Sequence, residues 1–426
     1  MYPTRCSNGN ALRQAFWVLG RRDRRCSIPN AVIGEKAGAT RNSRPCSGWG
    51  LPRTGWGTGE AGVREFSSGG DQAEARTRGY WDDVMSDKVE PRELGNSGLK
   101  VSKIILGCMA FGTSQWEGSP WVLDEAEGLE LLKAAYDNGI NTWDTADTYS
   151  NGHSELVIGK ALKKFNIPRQ KVVILSKIFN PVMDDNSRPA SINDGPIVNQ
   201  MGLSRKHVFH AVDKCLERLG TDYIDVLQIH RLDRETPPEE IMRALHEVVQ
   251  SGKVRYIGAS SMYTWEFARL QYIAKSNGWT EFISMQPFYN LLYREEEREM
   301  LPFCRETGVG VIPWSPIARG MLAKPLAKDS ADSTSLRSQT DKKTQAWFAD
   351  ANLDIVSRVE EVAKKRGVSM ALVSTAWVLQ QGCWPIVGLN SEKRIKETVE
   401  ALKLKLTEDE CKYLEAEYKP RAIQGM

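Results

Sequence analysis

The feature that most constrains the fold of this sequence is an alternation of short apolar runs with amphipathic segments, which starts near Leu94. Helix-period segments at 125–138, 207–219, 238–250 and 265–276 separate runs that are rich in β-branched residues, with Ser204 and Thr264 as predicted N-caps. The runs read as buried parallel strands. They lie at 103–106, 142–146, 172–176, 224–229, 254–259, 282–286, 309–313 and 385–388.

Eight strand–helix units are the number that closes a parallel sheet into a barrel of about 250 residues or more. The sequence therefore predicts an α/β fold, a (β/α)8 TIM barrel. An open doubly wound sheet is the alternative, but no phosphate-binding glycine turn follows the first strand.

Several segments stand outside the repeat. Residues 92–102, with a Gly-Asn-Ser-Gly turn, predict an N-terminal hairpin that plugs the bottom of the barrel. At the other end, Thr407 and Glu410 form a capping box that predicts an extra C-terminal helix to about Glu417. Two long insertions, 180–202 and 324–344, follow the third and seventh strands, on the face where barrels carry their chemistry.

Residues 1–84 differ in composition from the predicted barrel, which we assign to 85–426. They lack periodic apolar residues, so we expect disorder. Residues 1–57 contain ten Lys and Arg but only two acidic residues, Asp23 and Glu35, so this segment is strongly basic. We interpret residues 1–84 as a non-functional extension upstream of a translation start at Met85, and we expect a cytoplasmic protein. The alternative is that this segment is a mitochondrial presequence. A nucleic-acid-binding arm is not favoured, because no folded binding motif accompanies the charge.

Other partner classes find little support. The whole chain carries a formal charge of only +3, and no apolar run is long enough to span a bilayer. The Gly57–Gly62 match to a dinucleotide fingerprint follows no strand, so we interpret it as coincidental. Eight Cys without a CxxC pair, and His207 and His210 on a predicted helix surface, indicate no metal site.

Four chemically active side chains follow successive predicted strands. Asp144 and Tyr149 come after the second strand, Lys177 after the third and His230 after the fourth. The carboxyl ends of barrel strands converge on one mouth, so these groups are expected to meet. A buried Lys177 needs a partner, and Asp144 is the natural one.

This set suits reduction of a carbonyl group. Hydride addition leaves negative charge on oxygen, which requires a proton donor. We expect the ammonium of Lys177 to lower the pKa of Tyr149 toward useful acidity, and His230 to orient the carbonyl oxygen.

The segment Asn-Thr-Trp-Asp-Thr-Ala-Asp-Thr-Tyr-Ser-Asn-Gly at 141–152 closely resembles the signature of the aldo-keto reductase family. The family's Lys and His fall on Lys177 in Ile-Leu-Ser-Lys and on His230 in Leu-Gln-Ile-His-Arg. The resemblance runs from about Leu94 to the C-terminus, and segments 258–262 and 290–296 look most like its fungal branch. It implies an NADPH-dependent oxidoreductase that reduces a small aldehyde or ketone. The alternative is a regulatory subunit that binds NADPH without turnover.

The resemblance also implies a dinucleotide, NADP(H), extended across the barrel mouth. Ser260, Ser261 and Gln286 match contacts to the carboxamide, together with Asp144, and Trp314 matches the ring that stacks on nicotinamide. The pyrophosphate loop matches Ser315, Pro316, Ile317, Ala318, Arg319 and Gly320. The adenosine positions match Gly388, Asn390, Arg394, Glu397 and Thr398.

Within the adenosine positions, Arg394 would pair with a 2′-phosphate, which favours NADPH over NADH. Two residues depart from the family pattern. Ser261 stands where Asn or Arg is frequent, and Thr398 where Asn is usual. Both departures weaken the assignment of their own contacts and leave the four-residue set unchanged.

The substrate is constrained least. Trp116, Phe179 and Trp347 are candidate walls of an apolar pocket shaped by the two insertions. Similarity to fungal members suggests an aromatic polyketide aldehyde or a masked hemiacetal, as in secondary metabolism. The sequence indicates no oligomeric state.

Overall fold

Strands and helices alternate through the parts of the chain that the computed structural model describes, residues 91–326 and 336–425. The strands are β1 (Pro91–Glu93), β2 (Lys100–Ser102), β3 (Ile105–Gly107), β4 (Phe111–Gly112), β5 (Leu123–Asp124), β6 (Thr142–Asp144), β7 (Val173–Ile178), β8 (Ile224–Ile229), β9 (Val254–Ser260), β10 (Phe282–Gln286), β11 (Gly310–Val311) and β12 (Ile386–Val387). The helices are α1 (Glu125–Asp137), α2 (His153–Lys164), α3 (Arg205–Leu219), α4 (Pro238–Gln250), α5 (Thr264–Asn277), α6 (Met300–Thr307), α7 (Leu336–Thr340), α8 (Lys342–Trp347), α9 (Asp354–Arg366), α10 (Met370–Gln380), α11 (Glu392–Glu400) and α12 (Glu408–Glu415).

Eight of these strands form one parallel sheet in the order β11, β10, β9, β8, β7, β6, β3, β12. Its two edges meet, because Trp384 N donates to Val311 O and Ile386 N to Pro313 O, both at 2.9 Å. A parallel bridge between Trp314 and Ile386 continues this contact. The sheet is therefore a closed barrel, and the predicted (β/α)8 fold is confirmed over the open doubly wound alternative.

The apolar composition of the strands explains why helices cover them. Every residue of β7 and β8 is buried. A strand that buries both faces needs a covering layer outside and side-chain packing inside, which is the environment of barrel strands. Helices α1 to α5 pack successively against their neighbours around the outside.

The predicted plug is also confirmed. Strands β1 and β2 pair antiparallel. Leu94 and Val101 are fully buried in a cluster with residues inside the barrel, namely Ile105, Val173, Leu175, Val226, Ile312 and Ile386. The turn fits tightly against the loop before β11: Gly95 has φ +60°, and a Cβ there would lie 2.4 Å from Gly308 O. Only glycine suits this position.

Of the three predicted helix caps, two are correct and one is wrong. Ser204 caps α3, since its hydroxyl accepts from His207 N at 3.3 Å. Thr264 is instead the first residue of α5, and the Glu266 carboxylate accepts from Tyr263 N at 3.0 Å. The capping box of Thr407 and Glu410 is present and opens α12, which ends at Glu415, near the predicted end at about Glu417.

The two insertions contact the same loop at the mouth of the barrel, residues 113–122. In the first insertion, Asn186 O accepts from Glu117 N at 2.8 Å. In the second, the Arg337 guanidinium lies 4.1 Å from the centre of the Trp121 ring. The insertions therefore build part of the rim, as their position after β7 and β11 predicts.

Residues 1–90, 327–335 and 426 lie outside the described residues. The predictions for the 1–84 extension, the Gly57–Gly62 match and the start at Met85 therefore stay predictions. In the described part of the chain, no helix is long and apolar enough to cross a membrane.

Candidate active site

The four predicted side chains meet at the carboxyl end of the barrel. Lys177, on β7, places its Nζ 2.6 Å from Asp144 Oδ2, 2.8 Å from Thr145 O and 3.1 Å from Tyr149 Oη. Asp144 ends β6, and His230 directly follows β8, with its ring centroid 5.7 Å from that of Tyr149 in an edge-on arrangement. Adjacent parallel strands thus carry an ammonium, a carboxylate, a phenol and an imidazole into one volume.

The set has a buried half and an accessible half. Lys177 and Asp144 are 0% and 2% exposed, whereas Tyr149 and His230 are partly exposed. Burial lowers the pKa of Lys177, but Asp144 and then Tyr149 raise it, and the result lies above the ordinary value. Lys177 is therefore a fixed cation beneath the phenol oxygen.

The pKa of Tyr149 is raised, not lowered. Burial raises it and outweighs the opposing effect of Lys177, so the expectation of a lowered pKa is wrong for the protein alone. The physical reason is that desolvation disfavours tyrosinate more than one ammonium stabilises it. The phenol consequently holds its proton at neutral pH, as a proton donor must.

His230 is a neutral imidazole at neutral pH. Burial, followed by the cations Arg231 and Lys177, lowers the pKa of His230 well below its ordinary value. Its Nδ1 is buried and lacks a hydrogen-bond partner among the described residues. A neutral ring carries one N–H, which can orient an incoming oxygen atom.

Sequence reasoning missed Gln228. Its Nε2 donates to Asp144 Oδ1 at 2.9 Å, and so does Gln286 Nε2. Gln286 Nε2 also lies 2.7 Å from Gln228 Oε1. With Lys177 on its other oxygen, the Asp144 carboxylate is held on both sides. The available signal was one amide in the otherwise apolar end of strand β8, Val-Leu-Gln-Ile.

The turn that carries Tyr149 is locked in an unusual conformation. Ser150, Asn151 and Gly152 all have positive φ, at 48°, 48° and 89°. Asn151 Nδ2 donates to Asp185 O and Ser187 O, both at 2.8 Å, which ties the turn to the first insertion. Such backbone geometry persists only when neighbours enforce it, so Tyr149 is positioned by tertiary contacts.

A second missed group, Asp147, lies behind this turn. Its side chain is 1% exposed, and neither carboxyl oxygen has a hydrogen-bond partner among the described residues. The nearby Glu155 accepts from Ser176 Oγ at 2.5 Å and from Arg218 Nε at 2.6 Å. Burial, and then repulsion by Glu155, raise the pKa of Asp147 well above its ordinary value.

Replacing this buried acid predicts a pH-dependent gain in stability. A carboxyl group whose pKa is raised on folding destabilises the fold increasingly as pH rises above its unfolded value of about 4. The variant Asp147→Asn removes that titration. At each pH the gain is the melting temperature of Asp147→Asn minus that of the unmodified protein. We expect this gain to be at least about 3 °C larger at pH 8 than at pH 5.

Thermal unfolding of both proteins across this pH range is the measurement. The exposed carboxylate Asp184 provides the matched control, because Asp184→Asn should change the melting temperature equally at both pH values. A gain for Asp147→Asn that is the same at pH 5 and pH 8 would contradict the prediction.

The residues predicted at the nicotinamide end are close together. Ser260 Oγ donates to Gln286 O at 2.8 Å, and Trp314 Nε1 donates to Ser261 Oγ at 3.1 Å. The Trp314 ring stacks on Phe288, with centroids 4.4 Å apart and planes 20° apart. Gln286 also contacts Asp144, so this group adjoins the four-residue set.

The predicted pyrophosphate loop, 315–320, follows Trp314 in a tightly turned path. Ser315, Ala318, Arg319 and Gly320 all have positive φ, while Pro316 and Ile317 lie between them. Asn290 Nδ2 donates to Ser315 O at 3.1 Å. The Arg319 guanidinium is not free, since Nη1 lies 2.7 Å from Asp341 Oδ2 in the second insertion.

The predicted adenosine positions surround the start of α11. Gly388, Asn390 and Arg394 are exposed, and a Cβ on Gly388 would meet nothing within 4 Å. Arg394 Nη1 donates to Asn390 Oδ1 at 2.5 Å, and Ser391 caps the helix. Further along α11, Glu397 is partly exposed and Thr398 is buried.

The candidate walls differ in exposure. Trp116 is buried, and its Nε1 lacks a hydrogen-bond partner among the described residues, whereas Phe179 and Trp347 are only partly buried. Trp347 packs against Trp314, with ring centroids 5.5 Å apart. It therefore adjoins the predicted nicotinamide end.

One prediction about histidine is wrong. His210 is exposed, but His207 is 4% exposed, and burial lowers its pKa to about 4. It lies on the inner face of α3. The apolar pattern near the start of a helix does not determine which face such a residue occupies. No group of three or more His, Cys, Asp or Glu suited to a metal occurs among residues 91–326 and 336–425.

Comparisons with known proteins agree with this geometry. The sequence model of the Aldo/keto reductase family matches residues 103–419. Versiconal hemiacetal acetate reductase of Aspergillus parasiticus is 55% identical over 345 residues, 79% of this chain and 98% of that protein. An aldo-keto reductase of Fusarium vanettenii is 49% identical over 81% of this chain and 95% of its own length. An aldo-keto reductase of Alternaria alternata is 47% identical over 80% of this chain and 95% of its own length.

The predicted resemblance to fungal reductases is thereby confirmed, and it includes the relative from Aspergillus parasiticus. The family match covers all four meeting side chains and the strands that carry them. The chain belongs to the aldo/keto reductase family of oxidoreductases.

Proposed function

We propose that this protein reduces an aldehyde or ketone to an alcohol with NADPH, using Tyr149 as the proton donor. The observation that carries the proposal is the position of Lys177 Nζ, 2.6 Å from Asp144 Oδ2 and 3.1 Å from Tyr149 Oη. Structural stability alone does not require a phenol, an imidazole and a buried ion pair at the same end of the barrel.

NADPH, when bound, supplies hydride to the carbonyl carbon. Tyr149 Oη then gives its proton to the carbonyl oxygen as the C–O double bond becomes single. Lys177 stabilises the tyrosinate that remains, and its own charge is held by Asp144. The neutral His230 donates a hydrogen bond to the same oxygen and fixes its orientation.

The residues present fit a dinucleotide. The Ser260 hydroxyl and the Gln286 amide nitrogen already donate within the protein, so each offers an acceptor oxygen, which suits the NH2 of a carboxamide. Arg394, exposed in the first turn of the Ser391-capped helix α11, would meet a 2′-phosphate. The Arg319–Asp341 contact would hold loop 315–320 beside the pyrophosphate.

Substrate identity is proposed at the level of class. The relative from Aspergillus parasiticus is named for a hemiacetal acetate. Trp116, Phe179 and Trp347 are aromatic, and the two insertions border the mouth. An aromatic aldehyde or hemiacetal of fungal secondary metabolism therefore agrees with the site, and we propose the cytoplasm as its location.

The test is a panel of aromatic and aliphatic carbonyl compounds assayed with NADPH and with NADH. We expect turnover with NADPH at the higher kcat/KM. The variant Arg394→Ala should raise the KM for NADPH about tenfold and leave that for NADH within about twofold, because it removes one charge-assisted contact to phosphate.

Lys396→Ala is the matched control, since Lys396 is exposed on the same helix and pairs with Glu392. If no carbonyl compound is consumed but NADPH quenches fluorescence in a manner that Trp314→Phe removes, the protein is an NADPH-binding subunit instead. If NADPH neither binds nor reacts, the proposed function is wrong.

A further inference from the structure

Arg231 adjoins His230, and the mechanism above gives its side chain no contact with the substrate. It follows His230 directly in the loop after β8, and its Nη1 donates to His230 O at 2.5 Å. The side chain is only partly exposed. Its positive charge contributes, after burial, to the lowered pKa of His230, and it opposes the raised pKa of Tyr149.

No carboxylate of the described residues forms an ion pair with Arg231, which distinguishes it from its neighbours at the mouth. Arg234, three residues later, is held by both oxygens of Glu266 at 2.7 and 3.0 Å. Arg319 pairs with Asp341 at 2.7 Å. The remaining N–H groups of Arg231 have no partner in the described protein and, unlike Nε of Arg319, are not shut off from solvent.

The ion pairs near this mouth leave one guanidinium group without a carboxylate among the described residues. Arg319 and Arg337 share one carboxylate, Asp341, and Arg231 has none. Asp144 is already neutralised by Lys177. A partly buried guanidinium without a counter-ion is costly, and an anionic ligand would remove that cost.

We propose that Arg231 forms a subsite for an anionic oxygen of the substrate, so that carbonyl compounds with a second, acidic group are preferred. The group would be a carboxylate or an ionised phenol, which the planar guanidinium binds through its remaining N–H donors. The inference rests on the proposed function and adds a substrate class to it. Arg231 is a specificity-determining residue here, distinct from the proton donor.

The test compares 4-carboxybenzaldehyde with its neutral methyl ester, assayed with NADPH. The unmodified protein should prefer the carboxylate. In Arg231→Gln, kcat/KM for the carboxylate should fall about 10- to 100-fold, mainly through KM, because one charge-assisted contact is lost. The ester should change less than about threefold. Arg231→Lys should recover part of the loss, and the exposed Arg243→Gln is the matched control.

Two kinetic outcomes would overturn the proposal. One is an unmodified protein that does not prefer the carboxylate over the ester. The other is an equal loss of kcat for both substrates in Arg231→Gln, which would mean that Arg231 acts on the acidity of Tyr149 instead.

A binding measurement separates this inference from the proposed function. Calorimetric titration of the protein with NADP and 4-(hydroxymethyl)benzoate should show binding that Arg231→Gln weakens at least about tenfold and Arg243→Gln retains. If no carbonyl compound is turned over, the proposed function fails, and this titration alone decides the subsite. Equal binding by both variants would overturn it.

Discussion

Tyr149→Phe is expected to lower kcat for carbonyl reduction by about 10²- to 10⁴-fold, the usual contribution of a positioned general acid. The variant removes one oxygen, which lies 3.1 Å from Lys177 Nζ. The proton then has to come from water, while the ring still fills its place. NADPH binding and the melting temperature should therefore change little. Single-turnover absorbance of NADPH with an aromatic aldehyde is the measurement.

The control for this loss is Tyr272→Phe, because Tyr272 is 72% exposed on α5, remote from the phenol of Tyr149. It should retain full turnover. If Tyr149→Phe keeps more than half of the unmodified rate, Tyr149 is not the proton donor. If it also loses NADPH binding, its loss of rate reflects a disturbed site and not missing proton transfer.

Lys177→Met should be the most damaging single change to stability in the site. It leaves the Asp144 carboxylate buried without its cation, which costs about 3–5 kcal/mol of unfolding free energy. Activity should also be lost, because no charge remains beneath Tyr149. Urea-induced unfolding followed by circular dichroism measures the first effect, and the aldehyde assay measures the second.

A second substitution separates charge from chemistry. In Lys177→Met with Asp144→Asn, the uncompensated charge is gone, so most of the lost stability should return while activity stays absent. Lys160→Met is the exposed comparison: Lys160 pairs with Glu125 at the surface, and its loss should cost less than about 1 kcal/mol. A double variant as unstable as Lys177→Met would contradict this account.

The sequence predicted the barrel and the meeting of its four side chains for one physical reason. Parallel strands place their carboxyl ends on one rim, so Asp144, Lys177 and His230 converge whatever the detailed packing is. The hairpin and the α12 capping box depend on local turn and cap residues, so they could also be predicted from the sequence. Apolar strand composition gave the sheet its position in the chain.

What sequence reasoning missed depends on tertiary packing. Gln228 is one amide in a buried strand, and its contact with Asp144 spans two strands. The burial of His207 depends on the rotation of α3, and the start of α5 on the contact of Glu266 with Tyr263 N. The sign of the Tyr149 pKa shift reflects a balance of desolvation against one ammonium, which a motif does not contain.

The hairpin of β1 and β2 affects how ligands bind and leave. Leu94 and Val101 fill the amino end of the barrel, so within the described residues the four meeting side chains face the opposite rim. A cofactor and a substrate that enter from the same rim cannot bind and leave independently. The molecule that binds deeper has to bind first and leave last. We therefore expect ordered binding of cofactor and substrate, to which the three-residue strands β1 and β2 contribute from the opposite end of the barrel.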